Sequence, residues 1–242
     1  MTQLLSLIKQ STLFSDLPEE SVLQEILPHG QLRKYQKEQS LIVPQEQVDH
    51  FGLILKGRVH ILHLFSSGSS SLMNVVLPGS FVGLDLVATK RRSSPYYAIA
   101  ASLTQVFYLP GDLITRPGIL QEPLRISCLE RLLFIISNEN MKKEYRLAIL
   151  SQKGIRERVI TYLTMQSSRL HSSTFQIPFS RDEMASYLCV NRSALSHELS
   201  LMQREGLISF RKNVFTLHHD ILSVSSFQIQ LSKDTEETTI PD

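Results

Sequence analysis

The chain has 242 residues, 42% of them hydrophobic and 20% charged, with a formal charge of +2 and two cysteines. That length supplies core for one large domain or two modest ones, and two cysteines exclude a disulfide framework, a cysteine-based zinc site and a four-cysteine iron–sulfur cluster within one chain. No apolar run approaches the roughly 20 residues of a transmembrane helix, and MTQLLSLIKQ lacks the charged start and small-residue cleavage site of a signal peptide, so a cytoplasmic protein away from membranes is expected.

Gln3 to Leu27 has helical periodicity, with Leu4, Leu5 and Ile8 followed by Leu13, Phe14 and Leu17, and Ser15 or Asp16 is placed to cap a helix ahead of Pro18. From Gln31 to Leu109 the texture changes to short β-rich runs: SLIV, HFGLILKGRVHILHLF, SLMNVVLPGSFVG and YYAIAASLTQVFYLP. Turn residues separate them, most sharply Lys56-Gly57 and Pro78-Gly79, so a compact antiparallel barrel or sandwich is predicted. After Pro117-Gly118 the pattern turns helical from Leu120 to Leu150, a span of about 45 Å at 1.5 Å per residue. Leu129, Leu133, Ile136 and Asn140 follow a 4-3-4 spacing, widened by Leu132 and Ile135. A stripe that broad predicts one side against the barrel and another against a twin helix, hence a homodimer, with Asn140 able to fix the register of the pair.

A second helix is predicted over Gly154 to Arg169, with Ile155, Val159, Ile160, Leu163 and Met165 inward, then a short FQIPF strand. Residues 150 to 222 hold nine Lys and Arg against six Asp and Glu, a mild excess compatible with nucleic acid and with many ordinary surfaces. From residue 223 the tail is Ser-rich, then acidic, and is expected to be poorly ordered beyond Leu231.

Between Ser180 and Gly206 the spacing becomes specific. Ser180 with Glu183 is an S-x-x-E capping box opening a helix, Cys189-Val190 is a short break, and Asn191 is a strong cap for the next helix. Met184, Leu188, Leu195, Leu199 and Met202 are the expected buried positions, with Ala185 small where the two helices cross and Gly206 just past the second. This is helix-turn-helix spacing, and LISFRKNVFTL supplies a two-stranded wing with Arg211, Lys212 and Asn213 at its tip. On the second helix Arg192, Ser196 and Ser200, like Ser193 and His197, are four residues apart and share an outward face. Such a surface is ordinarily just solvated; the capping box, the turn, the wing and the long helix before them turn the reading to DNA. Arg192, Ser193, Ser196 and His197 are then the expected base readers, with Ser180, Asn191, Ser200, Arg211 and Lys212 on the backbone.

The order of parts resembles the superfamily of the cyclic-AMP receptor protein and the fumarate–nitrate reduction regulator. LILKGRVHI, LPGSFVGLDL, PYYAIAASLTQVFYLP and, most specifically, SRDEMASYLCVNRSALSHELSLMQREGLI carry the resemblance, which spans about Leu5 to Val224. It implies an α+β fold: an N-terminal antiparallel β-roll like that of cyclic-nucleotide-binding domains, a long dimerisation helix and a C-terminal winged helix-turn-helix. The expected boundaries are residues 1–118 for an effector-sensing domain, 119–150 for the helix, 151–224 for the DNA-binding domain and 225–242 for a polar tail. It further implies a homodimer on a palindromic operator in double-stranded DNA and contact with RNA polymerase. Three positions depart from the pattern, with Glu38, Gln45 and Cys189 standing where Gly is usual, so distorted or longer turns are expected.

Control is less legible. Where the cyclic-nucleotide branch has Gly-Glu-Leu and, ten residues on, an Arg, this chain has Gly83-Leu84-Asp85 and then KRRSSPYYAIA. That resembles the branches that do not bind cyclic nucleotides; a cyclic-nucleotide-responsive regulator is the alternative. An N-terminal iron–sulfur sensor is not expected, and His29, His50, His60 and His63 are scattered, with His60 and His63 on opposite faces of one predicted strand, so no cofactor or metal is assigned. An unidentified small-molecule effector is expected between roll and long helix, near Arg92, Ser93, Tyr96, Tyr97, Leu129 and Leu133. Cys189 could make DNA binding thiol-sensitive or simply pack. A cupin-like metal enzyme with a helical appendage is the competing class, but neither its H-x-H and carboxylate set nor a Ser-His-Asp or phosphate-loop pattern is present, so no enzymatic activity is expected.

Overall fold

The computed structural model describes residues 2–66 and 68–218; the expectation for residues 225–242 lies outside them. The lead-in comprises α1 (Thr2–Lys9) and α2 (Glu19–Ser21), which runs on as a π-turn over Val22–Ile26 and a 3-10 turn over Leu27–His29. The position before α2 is Pro18, without a side-chain cap, and the Ser15 hydroxyl instead donates to Asp16 at 2.8 Å, so the expected capping by Ser15 or Asp16 does not occur. Proline's fixed φ starts that turn without one.

Eight strands make the roll: β1 (Gln31–Tyr35), β2 (Ser40–Ile42), β3 (His50–Lys56), β4 (Val59–Leu64), β5 (Ser70–Val76), β6 (Phe81–Val82), β7 (Tyr97–Ala100) and β8 (Thr104–Pro110). They form two antiparallel sheets, in orders β1-β8-β3-β6 and β2-β7-β4-β5, with α3 (Leu84–Val87) between β6 and β7 and α4 (Asp112–Thr115) after β8. β3 is buried from Phe51 to Leu55 because both its faces are covered. Phe51, Leu53 and Leu55 point into a cluster with Ile8, Phe14, Leu109, Leu124 and Leu132 under the helices, while Ile54 joins Val59, Val82, Ala98 and Val106 between the sheets. Gly52 lets β3 lie close to β8, since a Cβ there would meet Val106 Cγ1 at 2.5 Å.

The departures at Glu38, Gln45 and Cys189 turn out differently from expectation. All three hold the left-handed backbone that Gly usually supplies, with φ of 73°, 69° and 53°, so the turns are kept and the side chains bear the steric cost.

α5 (Glu122–Leu150) is the predicted long helix, and α6 (Ile155–Leu170) follows, with Val159, Ile160, Leu163 and Met165 buried as read and Ile155 partly so. The predicted FQIPF strand is shorter, β9 (Thr174–Gln176), and pairs with β11 (Val214–Leu217), whose other edge pairs with β10 (Ile208–Arg211) to make the wing. Between them lie α7 (Arg181–Tyr187) and α8 (Arg192–Arg204). Met184, Leu188, Leu195, Leu199 and Met202 are fully buried and Ala185 nearly so. Their cluster also takes in Leu72 and Val75 of β5, so the C-terminal part packs directly on the roll.

Candidate nucleic-acid interface

The local chemistry of the helix pair follows from its caps. The Ser180 hydroxyl accepts from the Glu183 amide at 3.3 Å and Glu183 Oε2 accepts from the Ser180 amide at 2.6 Å, closing the capping box of α7. α7 ends in a two-bond C-cap, Val190 N–H donating to Ala185 C=O at 3.0 Å and Cys189 N–H to Ser186 C=O at 3.2 Å, with Cys189 in the left-handed position. Asn191 Oδ1 then accepts from the Ser193 amide at 2.8 Å and starts α8. Gly206 ends α8 the same way, at φ 76°, with Leu207 N–H donating to Met202 C=O at 3.0 Å.

On α8, Arg192, Ser193 and His197 are exposed and Ser196 is half-buried. Arg192 Nε lies 3.1 Å from Asp182 Oδ1 as an ion pair, and among the described residues neither terminal NH2 group has a partner, on a side chain that is 66% exposed. The Ser193 hydroxyl donates back to Asn191 Oδ1 at 2.6 Å and the Ser200 hydroxyl to Ser196 C=O at 2.9 Å, so both are held by the helix itself. Arg211 and Lys212 are exposed at the wing tip, where Lys212 has φ 57°.

Several arginines that sequence patterning did not single out hold this frame. Arg156 at the start of α6 donates to Glu198 of α8 at 2.5 Å and clasps Glu205 through both terminal nitrogens at 2.7 and 2.9 Å, holding the Glu205 carboxyl below its ordinary range. Arg158 reaches the end of α7, donating to Leu188 C=O at 3.1 Å and Cys189 C=O at 3.4 Å, a cation where the helix dipole is negative. Arg181 lies over the Phe210 and Phe215 rings and donates to Lys212 C=O at 3.4 Å, tying the wing to α7. Burial of that guanidinium lowers its pKa.

The unit is docked on the roll by the opposite side of α7. Glu183 Oε1, besides serving a capping carboxylate, meets His60 Nε2 at 2.6 Å and Arg58 Nη2 at 3.2 Å, and the Leu72 amide of β5 donates to the Ser186 hydroxyl at 2.9 Å. Burial works against the Glu183 charge, but the Ser180 donors, His60 and Arg58 outweigh it and hold the carboxyl below its usual value.

The residues expected around an effector are not gathered in one place. Arg92 is bonded to Asp112 and Asp49, and it holds the Asp112 carboxyl below its ordinary value. Ser93 is exposed and bridges Gln47, the Tyr96 hydroxyl donates to Asp85 at 2.8 Å, and Tyr97 pairs with Leu62 in the sheet. Leu129 packs with the lead-in helices, whereas Leu133 is 68% exposed. A cleft of about 250 Å³ beside α5 lies further toward its start, lined by Leu13, Leu17, Glu25, Leu124 and Arg131.

Residues 32–116 match the cyclic nucleotide-binding domain family and residues 157–222 the Crp-like helix-turn-helix domain family. The transcriptional activator FnrA of Stutzerimonas stutzeri is 28% identical over 170 residues, 67% of each chain, and the transcriptional activator Anr of Pseudomonas protegens 25% identical over 199 residues, 80% of this chain and 78% of that one. The chain belongs to the CRP/FNR superfamily of transcription regulators. The solved structure of FixK2 from Bradyrhizobium japonicum has the same fold, with a TM-score of 0.65 at 20% identity, covering 82% of this chain and 98% of that one. As a CRP/FNR regulator the protein carries a helix-turn-helix DNA-binding domain in its C-terminal part, and α7 and α8 are that motif. No described helix is long and apolar enough to cross a membrane.

Proposed function

We propose that this CRP/FNR regulator acts as a homodimer on a palindromic operator whose half-sites lie about one helical turn apart. In this reading Arg192, Ser193, Ser196 and His197 reach base edges, and Ser180, Asn191, Ser200, Arg211 and Lys212 lie along phosphates. The functional parts are residues 1–118, 119–150 and 151–224, and the bound regulator meets RNA polymerase.

The observation that carries the proposal is an unpartnered seam on the same molecule as an exposed reading helix. Ile126, Leu133, Asn140 and Leu147 recur every seven residues along α5, and the three apolar ones are 47%, 68% and 62% exposed. Leu129, Ile136 and Leu150, each three residues on from one of these, complete two strips of a heptad pattern with Asn140 inside it. A sister α5 would cover this seam and set two copies of α8 side by side. Selection of binding sites from random duplexes tests the proposal: a two-fold symmetric sequence should be enriched, and its affinity should fall steeply with salt. No enriched palindrome would contradict it.

Control by an effector other than a cyclic nucleotide is part of the same proposal. Leu84, at the position where a ribose-binding carboxylate is needed, is buried among apolar neighbours, and Arg92 is already shared by two carboxylates. A buried cyclic phosphate would lack its counter-charge. Millimolar cyclic AMP or cyclic GMP should leave the melting temperature unchanged; a saturable rise would favour the cyclic-nucleotide reading.

A further inference from the structure

Arg146, near the C-terminal end of α5, is only 6% exposed, and it joins that helix to the roll and to α7. Its Nη2 donates to the Ser71 hydroxyl of β5 at 3.3 Å and to Tyr187 C=O of α7 at 3.2 Å, Nε adds a bond to Tyr187 C=O at 3.4 Å, and Nη1 points at Met73 Sδ of β5. Its guanidinium carbon lies 4.8 Å from the centre of the Tyr187 ring. Among the described residues no carboxylate pairs with it, so a buried cation of the long helix is held by neutral groups of the roll and of the end of α7. Tyr187, Leu188 and Cys189 are consecutive, and Arg146 and Arg158 together take these three carbonyls, from the last residue of α7 into the turn that follows it.

We infer that Arg146 is a positioning residue for operator recognition, fixing the helix-turn-helix turn to the roll and to α5 so that movement of β5 is passed to α8. The inference rests on the reading of the protein as a dimeric operator binder. A planar, five-donor guanidinium suits the role, because one rigid fork can serve the roll and the turn together whereas a lysine ammonium cannot. The docked arrangement is compatible with DNA: Arg146, Glu183 and Ser186 use the side of α7 facing the roll, while Arg192, Ser193, His197, Arg211 and Lys212 stay exposed.

The distinction from a merely structural role lies in which affinity changes. Non-specific binding needs only a folded, basic DNA-binding unit, whereas operator binding by a dimer needs two α8 helices at fixed separation and tilt. The test compares the wild type, Arg146→Met, Arg146→Lys and Ser71→Ala, each first shown by its melting curve to be folded at the assay temperature. Each is titrated with the operator selected by the wild type and with a scrambled duplex of equal length. Arg146→Met should lose at least about tenfold in operator affinity with scrambled-duplex affinity unchanged, Arg146→Lys should fall between it and the wild type, and Ser71→Ala should lose about threefold to tenfold although it touches only the roll. Equal losses on both duplexes, or unchanged or tighter operator binding in both Arg146→Met and Ser71→Ala, would overturn the inference. A wild type that selects no operator would instead defeat the dimeric-operator reading beneath it.

Discussion

Glu183 of the helix-turn-helix and His60 of the β-roll meet at 2.6 Å, and the same carboxylate closes the capping box of its own helix with the Ser180 amide. One side chain thus starts α7 and docks it. Removing its charge should be costly in two places, and Glu183→Gln is expected to lower stability by about 2 kcal/mol at pH 7.

The pH dependence of that loss has a definite sign. The Glu183 carboxyl lies below its ordinary value of 4.5 in the folded chain, so its contribution is full above about pH 4.5 and fades as pH falls through the depressed value. Urea unfolding of wild type and Glu183→Gln should therefore show a gap that narrows as pH falls below 4.5. A gap that widened as pH fell below 4.5 would refute the assignment.

Gln45 is exposed and occupies a left-handed position at φ 69°. Glycine removes the steric cost of about 1–2 kcal/mol there but adds freedom to the unfolded chain, so Gln45→Gly should stabilise by about 0.5 kcal/mol net. A denaturation midpoint that falls would show that the surrounding loop, and not the residue's backbone, bears the strain.

Leu133 is 68% exposed in the monomer, so Leu133→Glu should leave the fold of each chain intact. Across a two-helix seam it would bury opposed like charges, and sedimentation should show the dimer weakened at least about a hundredfold, with operator affinity lost in parallel. A dimer of unchanged strength would move the interface off this face of α5.

What could be read in the sequence was what is local. The Ser180–Glu183 box, the Asn191 cap and Gly206 act over two or three residues, so their spacing alone announced α7, α8 and the stop after it. The apolar periodicity of Val159, Leu163, Leu195 and Leu199 marked the inner faces for the same reason. Arg146, Arg156 and Arg158 were illegible because the carbonyls and carboxylates of α7 and α8 that they hold lie 30 or more residues away and an arginine on a polar helix face looks the same whether it is solvated or clamped, and Arg58, in the turn between β3 and β4, because Glu183 is 125 residues on. Arg92 was read by its distance from Leu84, but its partners, Asp49 just before β3 and Asp112 at the start of α4, are brought to it only by the folded roll. At Glu38, Gln45 and Cys189 the missing glycines were visible, and what residue identity could not tell was that the backbone keeps its glycine-like conformation regardless.

The central claim, that α8 reads bases through its leading edge, is tested most directly at Arg192, whose two terminal NH2 groups have no partner among the described residues while Asp182 pairs with its Nε. The measurement is the affinity of wild type and Arg192→Ala for the selected operator and for variants altered at each base pair in turn. The account predicts that the wild type discriminates by about 1–3 kcal/mol at one guanine in each half-site, and that Arg192→Ala loses that discrimination while keeping it at the other positions. Loss of affinity by the same factor on every duplex, with discrimination intact, would make Arg192 a phosphate contact and contradict the account.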